Sequence, residues 1–198
     1  MKSIFLYLSI VVCLLANFSC GNHSKTENAQ KEIDTIWNEK VQDTFFGATF
    51  GDSVPKVIDQ LSENGFYLLE DVSSESWLHF RARQGKYFTF GNMTWEMLDI
   101  GAENGIFNYI RFSNASEDKA SALSAYNSLK NTIAAKYVLT SPTIQDTTLY
   151  ASSLIFGKNQ TRAGVSCHRY ETINRTIMIG VALEYWSDKK FTSVSDDL

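Results

Sequence analysis

Cys167 and His168 are adjacent, and a thiol beside an imidazole is the raw material of a nucleophilic dyad. His168 also precedes Glu171 by three positions, a spacing that would bring two metal ligands to one face of a helix. Ala163–Glu171 reads as a strand, however, and neighbours on a strand point to opposite faces. Cys167 and His168 therefore cannot share a proton. Cys167 shares a face with Ala163 and Val165, which predicts a buried, inert thiol. His168 is left to meet a distant acid, with Glu184 and Asp99 as candidates. The chain has three histidines, so no metal cluster assembles by spacing, and no cofactor is expected. Trp37, Trp77, Trp95 and Trp186 have the chemistry of a stacking platform for a glycan, with core packing as the alternative. Trp95 is expected in the core, on one strand face with Met93 and Met97. Trp186 falls at a strand end. Trp77, His168 and Trp186 are the candidate ligand contacts.

Phe50-Gly51-Asp52-Ser53 resembles the first block of the Gly-Asp-Ser-Leu family of esterases, with Val54 in place of leucine. That resemblance implies a Ser53-dependent hydrolase as the alternative function. The family also uses a late Asp-x-x-His. Here Val165 stands three residues before His168, and Ser76 three before His79. A serine without a base is a weak nucleophile, so Asp52 and Ser53 read better as helix caps, and no catalytic set is assigned. Gly47 and Gly51 also precede that helix as glycines do in phosphate loops. Asp52 stands where the loop lysine would be, and a carboxylate repels phosphate.

The elements that must position these residues are legible in outline. Ser53–Asn64 predicts a helix. Pro55 sits in the first turn, where its missing N–H costs nothing. Val54, Val57, Ile58 and Leu61 form one apolar face, and Gly65 supplies a left-handed stop. A second helix is expected over 116–137, opened by Asn114 and Glu117 in a capping-box spacing. Its buried stripe is Ala122, Tyr126, Leu129, Ile133 and Tyr137. Tyr87–Phe90 and Met93–Ile100 flank Gly91-Asn92, a two-residue hairpin turn of the type that takes glycine first. Phe107–Phe112, Leu149–Phe156, Ala163–Glu171 and Arg175–Trp186 follow as strands. In the last, Ile177, Ile179, Val181, Leu183 and Tyr185 share one face. The order helix, strands, helix, three strands predicts an α+β domain: an antiparallel sheet with two main helices on one face.

The amino terminus carries an address. Lys2 precedes an apolar run, Ile4–Ala16, that falls short of the roughly 20 residues a bilayer span needs. The chain then turns polar at Ser19-Cys20-Gly21-Asn22, the layout of a secretory signal. A cysteine at that junction looks like the lipobox of a bacterial lipoprotein, cut before Cys20 and acylated there. Ordinary cleavage after Gly21 is the competing reading. Gly21 after the cysteine favours the outer membrane, and the run Gly21-Asn22-His23-Ser24-Lys25, without the acidic residues that surface export uses, favours its periplasmic side. The expected organisation is a signal peptide over 1–19, a polar tether over 20–44, one α+β domain over 45–190 and a tail over 191–198. Cys13 leaves with the signal and Cys20 carries lipid, so Cys167 has no partner for a disulfide. The formal net charge of −4 becomes more negative when Lys2 is removed, which argues against nucleic acid as a partner. Beside a lipobox, the Asn-x-Ser/Thr sites at Asn22, Asn92, Asn114, Asn159 and Asn174 read as chance in an Asn-rich chain.

Phe46-Gly47-Ala48-Thr49-Phe50-Gly51-Asp52-Ser53, with Val57, Leu61 and Gly65-Phe66, resembles an opening motif of small Bacteroidetes-type envelope lipoproteins. It is also similar to the small lipoprotein that assists outer-membrane β-barrel assembly, and to β-lactamase-inhibitor-like folds. Asn64-Gly65-Phe66 stands where the assembly lipoprotein has Gly-x-Pro. The resemblance implies helices packed on an antiparallel sheet, and Cys20 as the lipid site. The expected function is a non-enzymatic binding module, anchored to the membrane by lipid, with an envelope protein or a glycan as partner.

Overall fold

The computed structural model describes residues 36–191, except positions 143, 145 and 173. The domain is α+β, as the sequence predicts. Two helices pack on a mostly antiparallel sheet of eight strands. The sheet strands are β1 (Trp37–Asn38), β4 (Phe66–Leu68), β5 (Trp77–Ala82), β8 (Met97–Glu103), β9 (Ile106–Ser116), β10 (Leu149–Gly157), β11 (Thr161–Glu171) and β12 (Ile177–Ser187). Their spatial order is β1-β10-β11-β12-β9-β8-β5-β4. Only the short β1–β10 pair is parallel. Two small hairpins lie outside this sheet: β2 (Thr44–Phe45) with β3 (Ala48–Thr49), and β6 (Phe88–Phe90) with β7 (Met93–Trp95).

Helix α1 (Val54–Glu63) buries Val57 and Leu61, the predicted face, and Gly65 follows it at φ +88°. Its start differs from expectation. Ser53 occupies the cap position but makes no side-chain cap bond. The Asp52 carboxylate turns backward instead, accepting from the Thr49 amide at 2.9 Å and pairing with Lys56 at 2.6 Å. Main-chain bonds from Gly51 to Phe107, from Phe107 to Asp52 and from Val54 to Gly105 stitch this turn to the β8–β9 hairpin. Helix α2 (Lys119–Ala134) is shorter than predicted and is capped by Asp118, which accepts from the amides of Ala120 and Ser121. Asn114 is no cap. It lies within β9, receives the Glu96 amide and donates to the Thr94 carbonyl. The stripe of Ala122, Tyr126, Leu129 and Ile133 is buried as expected, and Tyr137 stays buried just past the helix end.

Both helices meet the same core. Phe45, Phe80, Phe107, Phe112 and Tyr185 are fully buried in it, and Phe90 stacks on Phe112 with centroids 4.8 Å apart. Each such aromatic pair adds about 0.5–1.5 kcal/mol beyond its buried area. Tyr126 and Ser153 satisfy each other's hydroxyls at 2.9 Å inside it. The strand expected over 93–100 breaks at Glu96. Trp95 goes to the core, whereas Met97 turns to the opposite sheet face. Gly91 and Asn92 both have positive φ, so the hairpin turn has two left-handed residues rather than one.

The body begins and ends outside the expected 45–190. Trp37 and Asn38 pair with Phe156 and Gly157. Val41 is fully buried, and Asn159 brackets its backbone, accepting from the Val41 N–H and donating to its C=O. Positions 36–44 therefore belong to the domain rather than to a tether. Phe191 packs against the core and over Gly51. The signal, Cys20 and positions 192–198 lie outside the described residues.

Candidate functional site

Alternation along each strand sends one set of side chains to the helices and the other to a face that neither helix covers. Antiparallel register lines up that second set in rows across the strands. One row runs Trp77, Gly101, Tyr109, Trp186, Arg162, Phe156 and Trp37, from β5 to β1. The next row is His79, Asp99, Arg111, Glu184 and Gly164. The row beyond holds small residues: Ser113, Ala182, Ser166 and Ser152, following Met97. An aromatic band thus lies beside a line of alternating basic and acidic side chains, with a shallow trough behind it.

The charged row is hydrogen-bonded internally. His79 Nδ1 and Asp99 Oδ1 are 2.8 Å apart. The Tyr109 hydroxyl donates to Glu184 Oε1 at 2.7 Å. Arg111 Nε lies 3.6 Å from the same oxygen, and Arg111 Nη2 lies 3.5 Å from His168 Nε2. Arg111 Nε is buried and has no hydrogen-bond partner among the described residues. Burial raises the Asp99 carboxyl above the usual carboxylate range, outweighing the His79 bond that lowers it. Burial, then the Glu184 charge, holds the Tyr109 phenol protonated and donating. Burial, then the Arg111 charge, pushes the His168 imidazole below its ordinary value, toward the neutral ring.

Three glycines give this face its texture. A Cβ on Gly101 would touch Tyr109 at 2.9 Å, one on Gly180 would touch the His168 ring at 2.9 Å, and one on Gly164 would meet the Trp186 ring at 3.5 Å. Each of these side chains therefore packs against a glycine of the adjacent strand, and at Gly101 and Gly180 an added methyl would force a shift, whereas at Gly164 it would only touch the ring. Trp77 packs on Tyr109 with centroids 5.1 Å apart, and Trp37 on Phe156 at 5.6 Å. On the side of the charged row away from the aromatic band is a cavity of about 350 Å³ lined by Met97, Asp99, Arg111, Ser113, His168 and Tyr170, among others.

The three candidate contacts, Trp77, His168 and Trp186, all lie on this face, and all three are partly exposed. Trp95 does not, being 2 % exposed in the core. His168 has both expected acids on its own face, but its hydrogen bond goes to Arg111, and Asp99 pairs with His79. Cys167 is fully buried on the other face, and burial raises its thiol pKa. Sequence reading missed His79, Tyr109 and Arg111 as members of the site. The alternation of Trp77, Leu78, His79 and Phe80 was the signal for β5. Ser53 is exposed at the head of α1, whereas the two described histidines bond to Asp99 and Arg111. No group of three or more metal-ligating side chains gathers among the described residues.

The fold and site thus define an α+β domain with one sheet face packed and the other open. No protein-family model, curated protein or solved structure matches this chain.

Proposed function

We propose that this protein is a lipid-anchored component of the bacterial cell envelope that acts as a non-enzymatic binding module. Its partner is an envelope protein or glycan, engaged through the open face of the sheet. The observation that carries the reading is the arrangement of that face, where rings and polar pairs line up across the strands and neither described helix covers them. Binding sites combine apolar and aromatic surface with a few convergent polar groups in this way. The address rests on the leader and on Cys20, together with the resemblance to small envelope lipoproteins. Among the described residues no helix is long and apolar enough to cross a membrane. Binding is favoured over Ser53-dependent hydrolysis because, among the described residues, Ser53 has no histidine as a hydrogen-bond partner, while the aligned polar groups sit on the sheet.

The test has two parts. Intact mass of the protein from its native membrane fraction should show a chain beginning at acylated Cys20, and Cys20→Ala should release it from the membrane. A free terminus beyond Gly21 in the soluble fraction would overturn the anchor. A photo-crosslinking residue at Tyr170 should capture a defined partner, and Trp186→Ala should abolish capture. Adducts arising only from positions on the helices would remove the sheet face from the proposal.

A further inference from the structure

Resting on the binding-module reading, we infer that the open face takes a neutral saccharide chain laid across the strands, stacked on the aromatic band and hydrogen-bonded by the charged row. The first argument is charge. His79, Asp99, Arg111 and Glu184 alternate nitrogen donors with carboxylate acceptors along one row. Asp99 is engaged by His79, and Glu184 by Tyr109 and Arg111. A free anion would have to lie against two carboxylates, and a free cation against Arg111. A neutral polyol meets no such conflict, because each hydroxyl both donates and accepts.

The second argument is shape. The aromatic row reaches from Trp77 on β5 to Trp37 on β1. At roughly 4.8 Å between neighbouring strands, it is about 25–30 Å long. That length suits an extended chain of several sugar units better than a single one. Tyr109 packs against Gly101 and Trp77, and Trp186 lies against Gly164, so the band holds rings of the kind that stack on sugars, set beside small neighbours. The trough of Ser113, Ala182 and Ser166 leaves room on the far side of the charged row for substituents.

The third argument concerns the competing occupant. A protein strand would add to a sheet edge through main-chain bonds. All of these groups except Trp37 lie on interior strands, from β5 to β10, where each strand is already paired on both sides.

The experiment uses the full-length protein purified in detergent. Cellohexaose, mannohexaose and N-acetylchitohexaose are the neutral probes, hexagalacturonate is the acidic one, and the readouts are tryptophan fluorescence and calorimetry. At least one neutral hexaose is expected to bind with a Kd of about 1 mM or tighter, and its monosaccharide at least about tenfold more weakly. Trp186→Ala and Trp77→Ala should each weaken it by about tenfold or more, with unfolding transitions retained. Trp95→Phe should leave affinity unchanged, because Trp95 is in the core. Three results would overturn the inference: no neutral probe binding at about 10 mM, binding of hexagalacturonate alone, or full affinity in both face variants. If the hexaoses fail while Tyr170 still crosslinks a defined protein partner, the saccharide is excluded and the binding-module reading stands.

Discussion

His79 and Asp99 are register partners on β5 and β8, with Nδ1 and Oδ1 2.8 Å apart on the open face of the sheet. The pair places a carboxylate that is only 5 % exposed against a partly exposed imidazole. Burial wins over the hydrogen bond, and Asp99 keeps its proton to higher pH in the folded chain than in the unfolded one. The native state then binds more protons in the window just above the ordinary carboxylate value of about 4, so this residue's contribution to stability falls as pH rises through that window. The urea midpoint of the wild type, minus that of Asp99→Asn, should therefore decline as pH is raised from about 4 to 6. A difference that grows with pH would mean that the ion pair with His79 dominates.

His168 has the opposite sign. Burial first, and Arg111 second, make its ring harder to protonate when folded. Its contribution to stability is complete above the ordinary imidazole value of about 6.5 and is lost as pH falls through the lower folded value. An NMR titration of the ring proton should show a midpoint below that of a model peptide. Arg111→Met should move the midpoint upward, and an unmoved midpoint would remove Arg111 as a cause.

The glycines beneath the rings separate stability from site geometry. In Gly101→Ala the new methyl meets Tyr109 Cβ, close to backbone that cannot swing away. We expect a loss of about 1–3 kcal/mol in urea denaturation, the usual range for overpacking. In Gly180→Ala the methyl meets the tip of the His168 ring, which can rotate. This variant should unfold closer to the wild-type midpoint but with a shifted His168 titration. Equal losses in the two variants would contradict the distinction.

The α2 cap is a further check. Asp118 accepts from Ser121 through its side chain and amide, and from the Ala120 amide, and these bonds lower its carboxyl pKa. Stability from this cap is present above the ordinary carboxylate value and is lost as pH falls through the lower folded value. Asp118→Ala should lower the melting temperature at neutral pH, and the gap from wild type should close in acid. Glu117→Ala, the alteration that a capping box at Asn114 would have made costly, should leave melting nearly unchanged.

Residues with local periodicity were readable from the chain. The stripes of Val57 and Leu61, and of Tyr126, Leu129 and Ile133, announced two helices with buried faces. The alternation of Ile179, Val181, Leu183 and Tyr185 announced the inward face of β12. Even Trp77, His168 and Trp186 could be singled out by type. The ends of elements were less legible. Asp118 and Asn114 both have capping chemistry, and only the path of β9 decides which of them sits at a helix start.

By itself, the sequence determined the α+β class, the two helices, the inward faces of the long strands and the seclusion of Cys167, because each follows from the 3.6- or 2-residue spacing of nearby side chains. The tertiary structure alone decided that β9 lies between β8 and β12, and hence that His79, Asp99, Arg111 and Glu184 form one row. It also decided that Trp77, Tyr109, Trp186 and Trp37 form the next. Alternation tells a side chain which face it occupies but not which strand lies beside it. That choice is made by pairing between segments far apart in the chain, through the packing of the whole core.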